Sequence, residues 1–138
     1  PRQVHAYEYP KQYGPSSPSF ARATLLRSDL STQLFISGTA SVVGHESRHT
    51  GLPAEQTQET LNNLRALMTH ADEVAGIPLG RQPARGAYKV YVRQPEQLAV
   101  IQQALNTPVF SSSQIVYLQG DLCRRELLVE IEGLVTAD

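Results

Sequence analysis

One cysteine, one methionine and no tryptophan occur among these 138 residues. A lone thiol cannot staple the chain to itself, so the fold must rest on its core. No apolar run approaches the roughly 18 residues that a membrane helix needs, and nothing reads as a secretion signal. An excess of charge is missing too, since 12 Lys and Arg face 13 Asp and Glu, with four His and a pI near 6.5. Such a balance offers no general field for nucleic acid or an anionic membrane. A cytoplasmic globular protein is therefore expected, and the length fits one domain rather than two. Arginine is what stands out, making up ten of the 12 cations. That bias suits bidentate binding of carboxylate or phosphate, and GC-rich coding produces it as readily. The chain opens on Pro1 with no methionine, as a processed product or a piece of something longer would.

The first 20 residues, PRQVHAYEYPKQYGPSSPSF, hold four prolines and three tyrosines and show neither helical nor strand period. The tyrosines favour an arm packed across another surface over a loose linker. The remainder, 21–138, reads as one domain. ARATLLR and QLFISGTA form a predicted hairpin, and SGTASVVGH ends its second strand in small residues, as a loop or a place of close approach would. From Pro53 to Ala75 the spacing of Leu61, Leu64, Met68, Ala71 and Ala75 predicts a helix stopped by Gly76. GIPLGRQPARGA reads as a loop and YKVYVR as a strand. Pro95 opens a second helix carrying Leu98, Ile101 and Leu105, which NTP ends. QIVYL and LLVEIEGLV close the chain as strands. The order β-β-α-β-α-β-β predicts an α+β fold, one mixed sheet with both helices on one face.

The last strand raises a chemical question. In period 2, Leu127, Val129 and Ile131 share one face while Leu128, Glu130 and Glu132 share the other. Two like charges on one face repel. Either that face is wet and both glutamates are solvated, or a cavity lies there and one carboxylate acts in it.

Three stretches, YPKQYGPSSPSFARAT, FISGTASVVGH and LCRRELLVEIEG, taken in this order, resemble the C-terminal half of the chorismatases, which remove the enolpyruvyl side chain of chorismate. The order of elements and the terminal VEIEGLV likewise resemble the RidA/YjgF fold, whose members usually assemble as trimers with clefts between subunits. Chorismatases carry a further N-terminal domain of comparable size that this chain does not. The resemblance thus implies a fragment of such an enzyme or a stand-alone homotrimer whose neighbours complete the cleft.

Enol-ether cleavage starts with a proton delivered to the methylene carbon, so the acid must stay protonated near neutral pH. An ordinary Glu, with a pKa of about 4.3, does not. Burial and a second carboxylate both raise that value. The resemblance assigns the acid to Glu130. Substrate carboxylates call for arginine: Arg22 and Arg93 lie on or beside predicted strands, and of Arg124 and Arg125 at most one faces the cleft. Tyr13 is a candidate hydrogen-bond partner or a packing residue of the arm. Gly38, Thr39 and Ala40 would give backbone contacts and room for the ring. Cys123 has no base beside it in sequence and reads as an inert small residue; by resemblance it lines the pocket and, with Ala40, influences which product forms. His45 and His49 have metal-pair spacing but fall in a predicted loop with no third ligand, so no metal is expected. No organic cofactor is expected either, because the substrate carries the reactive group. Two other functions stay open. One is a RidA-like imine deaminase, against which SSSQIVYL lacks the arginine such enzymes carry unless Arg22 or Arg93 reaches that space. The other is a non-catalytic small-molecule-binding module.

Overall fold

The structure is a computed structural model that describes residues 2–79, 85–108 and 110–137. Five strands and two helices keep the expected order, and a short hairpin is added after the second strand: β1 (Ala23–Arg27), β2 (Thr32–Ala40), β3 (Val42–Val43), β4 (Glu46–Ser47), α1 (Pro53–Ala75), β5 (Arg85–Val92), α2 (Leu98–Leu105), β6 (Gln114–Gln119) and β7 (Val129–Ala137). Five strands form one mixed sheet in the order β1-β2-β7-β5-β6. β5 and β6 are parallel across the α2 crossover, and the other neighbours are antiparallel. β3 and β4 make a separate small hairpin.

Alternation decides which side is covered. Leu34 and Ile36 of β2, Tyr88, Val90 and Val92 of β5, and Val129, Ile131 and Val135 of β7 are buried in one core with Leu61, Leu64, Met68, Ala71 and Ala75 of α1 and Ile101 and Leu105 of α2. Each of the fully buried leucines and isoleucines stabilises the fold by about 2 kcal/mol. Pro53 stands at the first helical position, and Gly76 ends α1 in the left-handed region at φ 70°, its N–H bonded to the Asp72 carbonyl. Tyr88 lies edge-on to Phe110 with ring centroids 4.8 Å apart. Burial pushes its phenol up to about 12. Gly133 makes room for that ring, since a Cβ there would lie 2.7 Å from Tyr88 Cε1.

Several boundaries differ from the sequence expectation. β5 starts at Arg85, inside the expected loop, because its first residues pair with Thr136 to Leu134 of β7; residues 80–84 of that loop lie outside the described residues. SGTASVVGH is no simple loop: β2 runs to Ala40 and the β3–β4 hairpin follows. β6 ends at Gln119, one residue beyond the expected QIVYL. β7 starts at Val129 rather than Leu127, so alternation begins there. Leu127 leaves the Val129 and Ile131 face and packs with Ala40, Val42 and Leu122 in a second small core, and Leu128 is buried as well.

The first residues lie across the β3–β4 hairpin, where Gly44 N–H donates to the Arg2 carbonyl at 2.7 Å and Val4 N–H to the Gly44 carbonyl at 3.2 Å. Two short 3-10 turns follow, Ala6–Glu8 and Lys11–Tyr13, with Ala6 and Tyr9 buried. No helix among the described residues is long and apolar enough to cross a membrane.

Candidate functional site

A bulge in β2 places the site. Ile36 pairs with Gly133 and Thr39 with Ile131, so Ser37 and Gly38 together oppose Glu132 alone. Strict period 2 would set Ala40 on the core face with Leu34 and Ile36. The extra residue shifts the phase: Thr39, fully buried, turns to the core, and Ala40 pairs with Glu130 on the opposite face. The neighbouring segment holds the bulge, with Ser37 N–H donating to the Arg22 carbonyl at 3.1 Å and Ser37 Oγ to the Ala21 carbonyl at 2.7 Å. Gly38 is needed because the Glu130 carboxyl lies over it; a Cβ there would come within 2.8 Å of Glu130 Cδ.

Across the sheet, Glu130 stands between Ala40 and Tyr91, and Glu132 lies opposite Lys89. The two glutamates have unequal surroundings. Glu132 accepts from Lys89 Nζ at 2.8 Å and from the Tyr91 hydroxyl at 3.1 Å. These contacts raise the pKa of Lys89, and desolvation followed by the Glu132 bond raises that of Tyr91. Glu130 is more secluded. Burial first, and then the Glu132 charge, push its carboxyl above the usual carboxylate range, while Arg22 pulls the other way. One carboxylate is bonded to a lysine and a tyrosine; its more secluded neighbour is biased to keep a proton.

The arm brings aromatic rings to two arginines. Arg22 Nη2 bonds the buried Tyr9 hydroxyl, and its guanidinium lies 5.4 Å from the Tyr9 ring centroid and 4.8 Å from that of Phe20. Arg22 Nε is buried with no acceptor among the described residues. Arg124 lies 5.3 Å from the Tyr9 centroid and 3.7 Å from that of Tyr13. It donates from Nη1 to the His45 carbonyl at 2.8 Å and to Ser47 Oγ at 3.0 Å. Tyr13 Oη lies 3.4 Å from His45 Nδ1. Tyr9 thus sits between two cations, each gaining from its π face. Ser47 in turn donates to Glu126 Oε1 at 2.6 Å, and that bond lowers the Glu126 pKa.

The sequence-derived candidates are only partly gathered here. Glu130, Gly38 and Ala40 are in direct apposition. Arg22 and Cys123 each couple electrostatically to Glu130, and Arg124 to Cys123. Although Cys123 is an exposed residue, its thiol is tucked in enough that desolvation and then Glu130 raise its pKa. Tyr13 stacks on Arg124. Thr39 points away, its Oγ1 bonded to the Ser37 carbonyl at 3.0 Å. Arg93 was expected to bind a substrate carboxylate and is instead occupied, donating to the carbonyls of Leu122, Arg124 and Leu127 and pairing with Asp121. His45 and His49 join different networks, the latter 3.3 Å from Glu59 Oε2. No group of three metal-ligating side chains exists among the described residues. Tyr9 was missed, although it shares i, i+4 spacing with Tyr13. Tyr91 was missed as well; its place on the Lys89 face of YKVYVR was the available signal.

Beside the pair, a groove of about 410 Å³ runs along the uncovered sheet face, lined by Phe35, Ala87, Lys89, Val116, Glu132 and Leu134.

A mixed sheet with two helices on one face is the architecture of the RidA/YjgF-like α+β fold. A RidA from a Psychrobacter species superposes with a TM-score of 0.65 at 18% identity, covering 87% of this chain and 89% of its own, and shows the fold alone. Within that class the chain is similar to chorismatases over nearly its whole length. It is 44% identical to a 3-hydroxybenzoate synthase of Streptomyces hygroscopicus, covering 98% of this chain and 42% of the relative. It is 35% identical to a chorismatase of Streptomyces rapamycinicus with the same coverage. A chorismatase crystal structure superposes with a TM-score of 0.82 at 35% identity, over 97% of this chain and 41% of that one. The chain therefore spans about two fifths of the length of the curated relatives it matches. No family model matches it.

Proposed function

We propose that this chain is the catalytic portion of a chorismatase, in which Glu130 protonates the enolpyruvyl methylene of chorismate and pyruvate leaves. The observation that carries this reading is the secluded Glu130 carboxyl beside Glu132, which is paired with Lys89. Proton transfer to carbon needs an acid poised near the working pH, and burial with a like-charged neighbour supplies it. The proton goes from the Glu130 carboxyl to the methylene carbon, leaving an oxocarbenium at the ether carbon. Capture by water gives a dihydrodiol and pyruvate; capture by the ring leads to a hydroxybenzoate and pyruvate. Of the four candidate arginines, Arg22 and Arg124 suit the substrate carboxylates best. Arg22 keeps a buried N–H without an acceptor among the described residues, and both are stacked on arm tyrosines, which limits their rotamer freedom.

Ring capture to 3-hydroxybenzoate is the product we assign. Ala40 pairs with Glu130 across the sheet, Cys123 couples to it electrostatically, and a thiol holds ordered water less well than a hydroxyl. The relative at 44% identity named as a 3-hydroxybenzoate synthase supports the same choice. The deaminase reading loses one of its two arginines, because Arg93 is committed to the 121–127 segment.

The uncovered sheet face exposes Phe35, Leu26, Val116 and Leu118, which asks for a cover. A homotrimer in the cytoplasm supplies it in our reading, the further domain of a longer chorismatase being the alternative. Incubation of the purified protein with chorismate, followed by pyruvate assay and chromatography, tests the proposal. Pyruvate with 3-hydroxybenzoate is expected. Absence of pyruvate at saturating chorismate would overturn the enzymatic reading in favour of a binding module.

A further inference from the structure

Residues 121–128 join β6 to β7 with no helix or strand, and they carry Cys123 and Arg124. Such a connection ordinarily gives its carbonyls to water. Here two side chains from other elements take them. Arg93, just after β5, donates from Nε to the Leu127 carbonyl at 2.8 Å and from Nη2 to the carbonyls of Leu122 and Arg124 at 3.0 Å each. Its backbone N–H adds a bond to the Leu128 carbonyl at 3.0 Å. From α1, the fully buried Gln56 donates to the Glu126 carbonyl and accepts from Leu128 N–H, both at 2.8 Å. The ion pair of Arg93 with Asp121 adds little, because the Asp121 side chain is 94% exposed. What Arg93 holds is backbone.

We propose that Arg93 is a positioning residue for product choice, clamping 121–128 so that Leu122 and Leu127 stay packed in the small core with Ala40 and Cys123 keeps its place in the segment. The role in product choice rests on the chorismatase reading; the clamp does not. One planar guanidinium reaching three carbonyls fixes the segment in a way that a lysine, with a compact ammonium head, cannot copy. Loosening it lets the segment swing and admits water beside Ala40, where the oxocarbenium would be captured.

The test compares the parent with Arg93→Gln, Arg93→Lys and Asp121→Asn in three readouts: amide hydrogen exchange of 121–128, alkylation of Cys123 by iodoacetamide, and the product ratio from chorismate. In the parent, the Leu127 and Leu128 amides should exchange slowly. Both Arg93 variants should speed that exchange by about tenfold or more, with core sheet amides unchanged. Alkylation should rise by roughly tenfold as Cys123 is freed from the burial, and then the Glu130 charge, that raise its pKa, and products should move from 3-hydroxybenzoate towards the dihydrodiol. Asp121→Asn should move none of these by more than about twofold. Unchanged exchange and alkylation in Arg93→Gln would overturn the clamp, and an unchanged product ratio would overturn its role in product choice. If Arg93→Gln does not fold, the parent decides: Leu127 and Leu128 amides exchanging as fast as free peptide would overturn the proposal. A parent that releases no pyruvate would remove the functional reading and leave the clamp standing on exchange and alkylation.

Discussion

The Glu130 carboxyl occupies the space where a side chain at position 38 would begin, with Glu130 Cδ 2.8 Å from the place a Gly38 Cβ would take. Gly38→Ala should therefore displace the carboxyl, lower kcat by about a hundredfold and destabilise the fold by about 1–3 kcal/mol, as overpacking does. In an Glu130→Ala background the clash is gone, and the same substitution should cost little stability. Denaturant melts of the two single variants and the double variant check this. Additive costs would show that the two residues do not compete for space.

Glu130→Gln removes the transferable proton and should lower pyruvate release by about 10³-fold with the fold intact. Stability sharpens the prediction. The folded-state pKa of Glu130 is raised, so its contribution is fully present below the unfolded value and is lost as pH rises through the folded one. At pH 8 the ionised group opposes folding, so Glu130→Gln should melt at the same temperature as the parent or higher. Near pH 4 that advantage should vanish. A marked loss of melting temperature at pH 8 would mean that the carboxylate is held by bonds rather than exposed to penalty.

The neighbours of Glu130 should shift its titration in opposite directions. Glu132 raises the acid and Arg22 lowers it. The alkaline limb of the kcat profile should move to lower pH in Glu132→Gln and to higher pH in Arg22→Gln, the latter also raising KM. Equal movement of both limbs in one direction would rule out Glu130 as the group observed.

Product choice should respond to Ala40, paired with the acid, and to Cys123, coupled to it electrostatically. Chromatography of products from Ala40→Gly and Cys123→Val should show a changed ratio of hydroxybenzoate to dihydrodiol against the parent. Ratios unchanged in both would remove these positions from that role.

Light scattering at micromolar concentration should report a trimer. Phe35→Glu or Val116→Glu, on the uncovered sheet face, should shift it towards monomer, because a charge there cannot be buried without a partner. A monomeric parent would favour a longer chain that supplies its own cover.

Much of this architecture was legible beforehand because period 2 and period 3.6 are written plainly in β7 and α1. Leu61, Leu64, Met68, Ala71 and Ala75 all reach the core. The Glu130 and Glu132 pair was legible for the same reason. The bulge was not, since FISGTA alternates well enough on paper and only pairing with β7 reveals the extra residue. The arginines were the least legible. Arg93 and Arg124 look alike in sequence, and their difference lies in which distant carbonyls and rings the fold brings to them. Tyr9 was hidden similarly, because no local pattern shows that two cations close on it.

Because of the doubled residue at Ser37 and Gly38, β2 counts its inward positions in even numbers up to Ile36 and in odd numbers from Thr39. Flattening the bulge with both residues kept would restore a single count, swing Ala40 indoors and put Thr39 beside the acid, whereas deleting one of the two would leave Thr39 indoors and Ala40 on the face of the acid. Interior and chemistry are thus spelled in two reading frames of one strand, and the interior can drift through ordinary apolar exchanges without disturbing the wall that faces Glu130.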